Sequence, residues 1–239
     1  MKSPALLIVL ALVALLAGCG DIFGIDNYDP PTATLTGRLS YQGQPIGVRT
    51  GGVELELWQP GYELNEKIPV YVAQDGTFSA TLFDGSYKLN LRSGNGAWVD
   101  SPDTIRFELN GTADVTVPVT PYYTIENEAI SHNPGVNAPV GAIQATFKVG
   151  QVTTSRALEY VGLYVGTTSF VDRNHMVVRT EKKAAALDLN APITLSVNLP
   201  ANIRVTPSPE SRDSVSVRVG VKTSGVDEML FTQVYKIAI

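Results

Sequence analysis

The chain has 239 residues, 44% of them hydrophobic and 17% charged, with 21 glycines and 15 prolines spread along it and a formal net charge of −5. That acidic balance argues against nucleic acid as a partner, and the length allows one large or two small domains. A single cysteine excludes an intrachain disulfide framework, so any fold outside the cytosol must rest on packing.

At the N-terminus, Lys2 and an apolar run over residues 5–17 form the charged and hydrophobic regions of a secretory signal. The run is too short for a bilayer-spanning helix, which needs about 20 apolar residues. Leu16-Ala17-Gly18-Cys19 closes it and resembles the lipobox of bacterial lipoproteins. The resemblance implies cleavage after Gly18, a signal peptide over residues 1–18, and a diacylated Cys19 that attaches the chain to the membrane. Residues 20–32 carry Asp21, Asp26 and Asp29, two glycines and a proline pair without a sustained period, so residues 19–33 read as a lipidated linker. The acids are similar to the tract behind the lipid cysteine in Bacteroidota surface lipoproteins, which implies an outer-membrane lipoprotein exposed at the cell surface, with the periplasmic face as the alternative. Asp26, Asn27 and Asp29 lack the glycine and distal glutamate of a calcium loop, and no metal or cofactor site is expected.

Alternation begins at Thr34, with Leu35, Leu39 and Tyr41 on one face and Thr34, Thr36, Arg38 and Ser40 on the other. Further strands are expected at 53–57, 68–73, 77–83, 87–91, 104–109 and 115–119, separated by Asp75-Gly76, Asp84-Gly85 and Asn110-Gly111 reversals. Seven short strands with turns at this spacing predict a β-sandwich over residues 34–120. Thr36-Gly37-Arg38-Leu39, Gly43-Gln44-Pro45-Ile46, Asp75-Gly76-Thr77-Phe78 and Gly85-Ser86-Tyr87 resemble the carboxypeptidase-regulatory-like, prealbumin-type sandwich, which implies no catalysis. The longer string Leu55-Glu56-Leu57-Trp58-Gln59-Pro60-Gly61-Tyr62, with Leu82-Phe83-Asp84-Gly85, is similar to an uncharacterised family of Bacteroidota lipoproteins. Members of that family tend to be encoded beside outer-membrane porins and glycan-binding lipoproteins of polysaccharide-utilisation loci.

A second alternating set starts after Thr120-Pro121, with strands expected at 122–130, 142–150, 158–166, 176–179, 193–199, 215–222 and 231–239 and one helical turn within 181–187. Residues 121–239 thus predict an immunoglobulin- or fibronectin-like sandwich, and the whole chain an all-β protein of two tandem sandwiches with independent cores. Leu55, Leu57, Phe78, Leu89 and Phe107 are assigned to the first core, and Phe147, Leu195, Val217, Val219 and Tyr235 to the second.

Catalytic chemistry finds little support. His132 and His175 lie in polar, Asn-rich stretches outside any motif and read as solvated loop residues, no zinc-ligand spacing occurs, and Glu54 and Glu56 are the ordinary outward charges of an antiparallel sheet. No catalytic residue is assigned and the chain is read as no enzyme. Sugar rings stack on aromatic faces, and two places offer such faces. Trp98 sits in the aperiodic loop Ser93-Gly94-Asn95-Gly96-Ala97, and Trp58 and Tyr62 flank Pro60-Gly61. Trp98, with Trp58 and Tyr62, is therefore the candidate glycan-binding platform, against the alternative that each tryptophan covers a sandwich end or docks one domain on the other. The favoured function is an anchored, non-enzymatic accessory or glycan-binding component of a polysaccharide uptake complex. The alternative is a structural subunit that docks on a porin complex and touches no glycan.

Overall fold

In the first sandwich the pleat follows the alternation. In a computed structural model, which describes residues 29–61, 66–135, 140–203 and 213–239, β1 (Ala33–Tyr41) buries Leu35 and Leu39 while Thr34, Thr36 and Arg38 stay exposed. This strand is the centre of one sheet, antiparallel to β5 (Thr77–Leu82), parallel to β8 (Thr112–Pro118), and paired at its end with the short β2 (Gln44–Pro45). The facing sheet has the order β4 (Ile68–Tyr71), β3 (Glu54–Trp58), β6 (Gly85–Leu91), β7 (Thr104–Leu109). Leu55, Leu57, Phe78 and Leu89 meet between the two sheets as expected, and Phe107 packs against them only partly buried. Gly76 must be glycine: its φ is 87°, and a Cβ there would lie 2.2 Å from the Ile46 carbonyl oxygen.

The second sandwich sets β13 (Ile193–Asn198), β10 (Ala142–Gln151) and β9 (Tyr123–Asn133) against a sheet of β12 (Val178–Lys183), β11 (Leu158–Gly166) and β14 (Ser214–Thr223). β15 (Met229–Phe231) and β16 (Tyr235–Ala238) both pair with β14. Phe147, Leu195, Val217 and Val219 are buried in this core, and Tyr235 packs at its margin. The expected helical turn is a single 3-10 turn, Ala184–Ala186. The chain is all-β, with two tandem domains.

Three expectations need correction. The last strand is not continuous, because the Thr232 hydroxyl accepts the Val219 amide proton at 3.1 Å in place of a carbonyl, which frees the Thr232 carbonyl and breaks the ladder between β15 and β16. His132 lies on β9, partly buried, with Nε2 2.7 Å from the Val140 carbonyl oxygen. The two cores are also not independent. Leu230 of β15 is buried in the first core, Ile125 of β9 packs against both, and Thr32–Ile239 forms one compact unit.

The seam explains why β14 is buried on both faces. Its valines face the sandwich core, while on its other side Tyr164, Val171, Met229 and Phe231 make a small third core. Against that side the first domain lays residues 47–49. The Phe231 amide donates to the Gly47 carbonyl at 2.9 Å, and Arg49 Nε donates to Glu228 Oε2 at 3.0 Å.

Candidate functional site

The expected aromatic platform does not assemble. Trp98 is only 3% exposed and belongs to the first core. Its backbone bridges Pro121, and the neighbouring Ala97 carbonyl and Val99 amide bond to Tyr122 and Thr120 of the inter-domain linker. A Cβ at Gly96 would lie 2.1 Å from the Trp98 ring, so the glycine serves close packing of the indole and not loop mobility. Trp58 is half-buried on the outer face of its sheet, opposite Lys88. Tyr62 and Cys19 lie outside the described residues. The physical reason for the miss at Trp98 is that an aperiodic loop can still be the plug of a sandwich end.

A different surface gathers the polar and aromatic groups. Between the two domains lies a cleft of about 860 Å³, within the roughly 300–1,000 Å³ typical of ligand pockets. One wall is the β1–β2 hairpin with Tyr41, Gln42 and Gln44, the opposite wall is β9 and the end of β10 with Thr124, Glu126, Glu128 and Gln151, and residues 230–233 form the floor. Tyr41, Ile125 and Val152 supply apolar surface, and four carboxamides, from Gln42, Gln44, Gln151 and Gln233, supply paired donors and acceptors.

Local structure sets these groups. Gln42 and Gly43 turn the hairpin with φ of 50° and 79°, and Gln42 Nε2 donates to the Tyr41 hydroxyl at 3.1 Å. A glutamine in the left-handed region costs about 1–3 kcal/mol, and residues held so are concentrated at functional sites. On β9 the register slips by one residue opposite Phe147, and Asn127, with φ 53°, absorbs the bulge. The slip reverses parity, so that Glu126 lies opposite Lys148 on the outward face while Glu128 faces the same way as Ile130. Glu128 Oε1 accepts from the Tyr235 hydroxyl at 2.8 Å. Burial, helped by that carboxylate, pushes the Tyr235 phenol up to about 12, so it stays a neutral donor. Glu126 Oε1 accepts from Thr124 Oγ1 at 2.7 Å, in space that a Cβ at Gly150 would fill.

Beneath the floor, the Arg218 guanidinium joins the domains. Nε donates to the Thr232 carbonyl at 2.8 Å, Nη1 to Val48 at 2.9 Å and Val171 at 3.4 Å, and Nη2 to Gln74 at 2.9 Å. Phe231 lies under it, 4.6 Å from the ring centroid. These contacts come from four separate stretches of chain, at Val48, Gln74, Val171 and Phe231–Thr232, and tie both domains to the cleft floor.

Sequence reading put Tyr41 on the inward face of its strand, where it packs partly buried against the first core at the cleft's edge, and passed over the carboxamides. One signal was present: Ile125 and Ile130 are both apolar at an odd spacing within one strand, which requires a bulge between them if both are to face inward.

Comparison with known proteins places this build in company. The description "Protein of unknown function (DUF3823) N-terminal domain" matches residues 33–120, and "Domain of unknown function (DUF3823_C)" matches residues 123–236. A DUF3823 family crystal structure from Parabacteroides merdae is 33% identical, covering 87% of this chain and 100% of that one, with a TM-score of 0.76. Another from Bacteroides ovatus is 33% identical over 86% of this chain and 98% of that one, with a TM-score of 0.75. A candidate carbohydrate binding protein from Bacteroides uniformis shares the fold at 18% identity, with 88% and 100% coverage and a TM-score of 0.67. No protein with a curated description matches the chain.

Proposed function

The chain belongs to the DUF3823 family through both of its domains, and from that premise we propose that it is an outer-membrane-anchored, non-enzymatic lipoprotein that binds glycan for a polysaccharide uptake complex. The observation that carries this reading is the cleft between the sandwiches. One aromatic face, Tyr41, stands among carboxamides and carboxylates whose geometry suits sugar hydroxyls. A relative with the same fold is a candidate carbohydrate binding protein, which supports the class of ligand. The lipobox ending at Cys19 and the acid-bearing tether support attachment to the outer membrane, at the cell surface. We read the first domain as carboxypeptidase-regulatory-like, and its Gly43-Gln44-Pro45-Ile46 turn is the hairpin that overhangs the cleft.

A second reading, a structural subunit that docks on a porin complex, is favoured by the burial of Trp98, which removes the expected platform. One experiment separates them. Retardation of the protein in gels containing polysaccharides should weaken about three- to tenfold in Tyr41→Ala and in Gln44→Ala, with folding checked by thermal melts. Cys19→Ala should leave that binding intact and release the protein from the membrane fraction. No binding to any polysaccharide favours the docking subunit, whereas binding that survives both cleft substitutions places the glycan outside the cleft.

A further inference from the structure

The cleft is lined by two carboxylates, Glu126 and Glu128, and by no lysine or arginine among the described residues. Two cations lie close to the cleft without lining it. Lys148 stands opposite Glu126 in the ladder but outside the lining. Arg218, beneath the floor, is 0% exposed and gives its donors to carbonyl oxygens, so it offers no hydrogen bond to an anion. The buried charge has its own counter-charges in Asp172 and Asp75.

Both glutamates are held in place. Tyr235 fixes Glu128 and Thr124 fixes Glu126, so neither swings clear of a ligand without losing a hydrogen bond. A carboxylate accepts from sugar hydroxyls more strongly than a neutral oxygen does. It also repels a uronate or sulfate at the same distance. Anionic glycans are ordinarily held by arginine or lysine, and none lines this cleft.

We infer that the cleft selects uncharged glycan chains and turns away anionic ones, with Glu126 and Glu128 as the discriminating residues. This rests on the glycan-binding reading above. At low ionic strength, two carboxylates lining the cleft within several ångströms of a ligand charge should disfavour it about tenfold, and salt should erode the effect.

The test uses matched probes: neutral glucans, galactomannan and xyloglucan, each beside its carboxymethylated derivative. Full-length protein should prefer the neutral member about tenfold in 20 mM salt and less in 500 mM salt. In the double variant Glu126→Gln, Glu128→Gln, which keeps size and acceptors, the preference should fall to about twofold with an unchanged melting temperature. Equal binding of the pair by the native protein, or a preference that the double variant retains, overturns the inference while leaving glycan binding in place. Failure to bind any probe, neutral or carboxymethylated, overturns the glycan-binding reading and this inference with it.

Discussion

Arg218 shows how far a single residue can depart from its sequence pattern. On β14 it alternates with Val217 and Val219, and strict alternation puts it in water. It is instead fully buried, because the first domain lies on what would be the wet face. Burial pushes its pKa down to about 10, while Asp172 and Asp75 push the other way, so the group remains a cation at neutral pH. Lysine could not replace it: three donors on a point charge do not span carbonyls from Thr232, Val48 and Gln74. Arg218→Met removes those donors, leaves the carbonyls buried and unpaired, and should cost about 3–5 kcal/mol in urea unfolding. Arg218→Lys should recover only part of it. A loss below about 1 kcal/mol in the methionine variant would mean that water or a shifted backbone replaces the guanidinium.

Among the elements, the loop between β6 and β7 is the most misleading in sequence. Its glycines and asparagine suggest a mobile surface tip, yet Asn95 accepts from the Glu54 amide at 2.6 Å and donates to the Gly52 carbonyl at 2.9 Å. Asp100 folds the loop back on itself by accepting from the Gly94 amide at 2.8 Å and Ser93 Oγ at 2.6 Å. Those two donors hold the Asp100 carboxyl below its ordinary range. A depressed carboxyl contributes stability above its unfolded pKa and loses it as the pH falls through the folded value. Acidification should therefore loosen the cap over Trp98 and shift tryptophan emission to the red. Asp100→Asn should lack that acid step, and an acid shift of equal size in the variant would assign it to another group. The strands were legible, since period-2 burial follows from the pleat alone. The loop's packing was not, because side-chain to backbone bonds leave no period to read. The bulge at Asn127 lies between: its cause, two isoleucines at odd spacing, is visible, but its consequence, Glu126 and Glu128 on opposite faces of β9 and both at the margin of a cleft, depends on how the two domains meet.

For the whole molecule, the seam decides how the protein unfolds. Sequence divides the chain cleanly at Pro121, because each half has its own turns and its own alternating strands, and both halves do form separate sandwiches. Alternation carries no information about which outward faces meet, so the seam itself was hidden. It is substantial: Leu230 sits in the first core, Phe231 bridges to Gly47, and Arg49 with Glu228 forms a two-pronged ion pair that is largely sheltered. A Cβ at Gly52 would lie 2.4 Å from the Glu228 carboxylate, and one at Gly47 would lie 2.4 Å from the Phe231 carbonyl oxygen, so the first domain approaches at backbone distance. Domains joined by an apolar and hydrogen-bonded contact of this kind should unfold together. Residues 32–239 are expected to show one calorimetric transition whose van't Hoff and calorimetric enthalpies agree. Residues 122–239 made alone would bare Leu230, Phe231 and the Arg218 guanidinium, and should melt at least about 10 °C lower, since about 1 kcal/mol lowers a domain of this size by several degrees. Two resolved transitions in the long form, the upper one matching the isolated fragment, would show that the seam adds no stability and that the cleft it shapes is free to open.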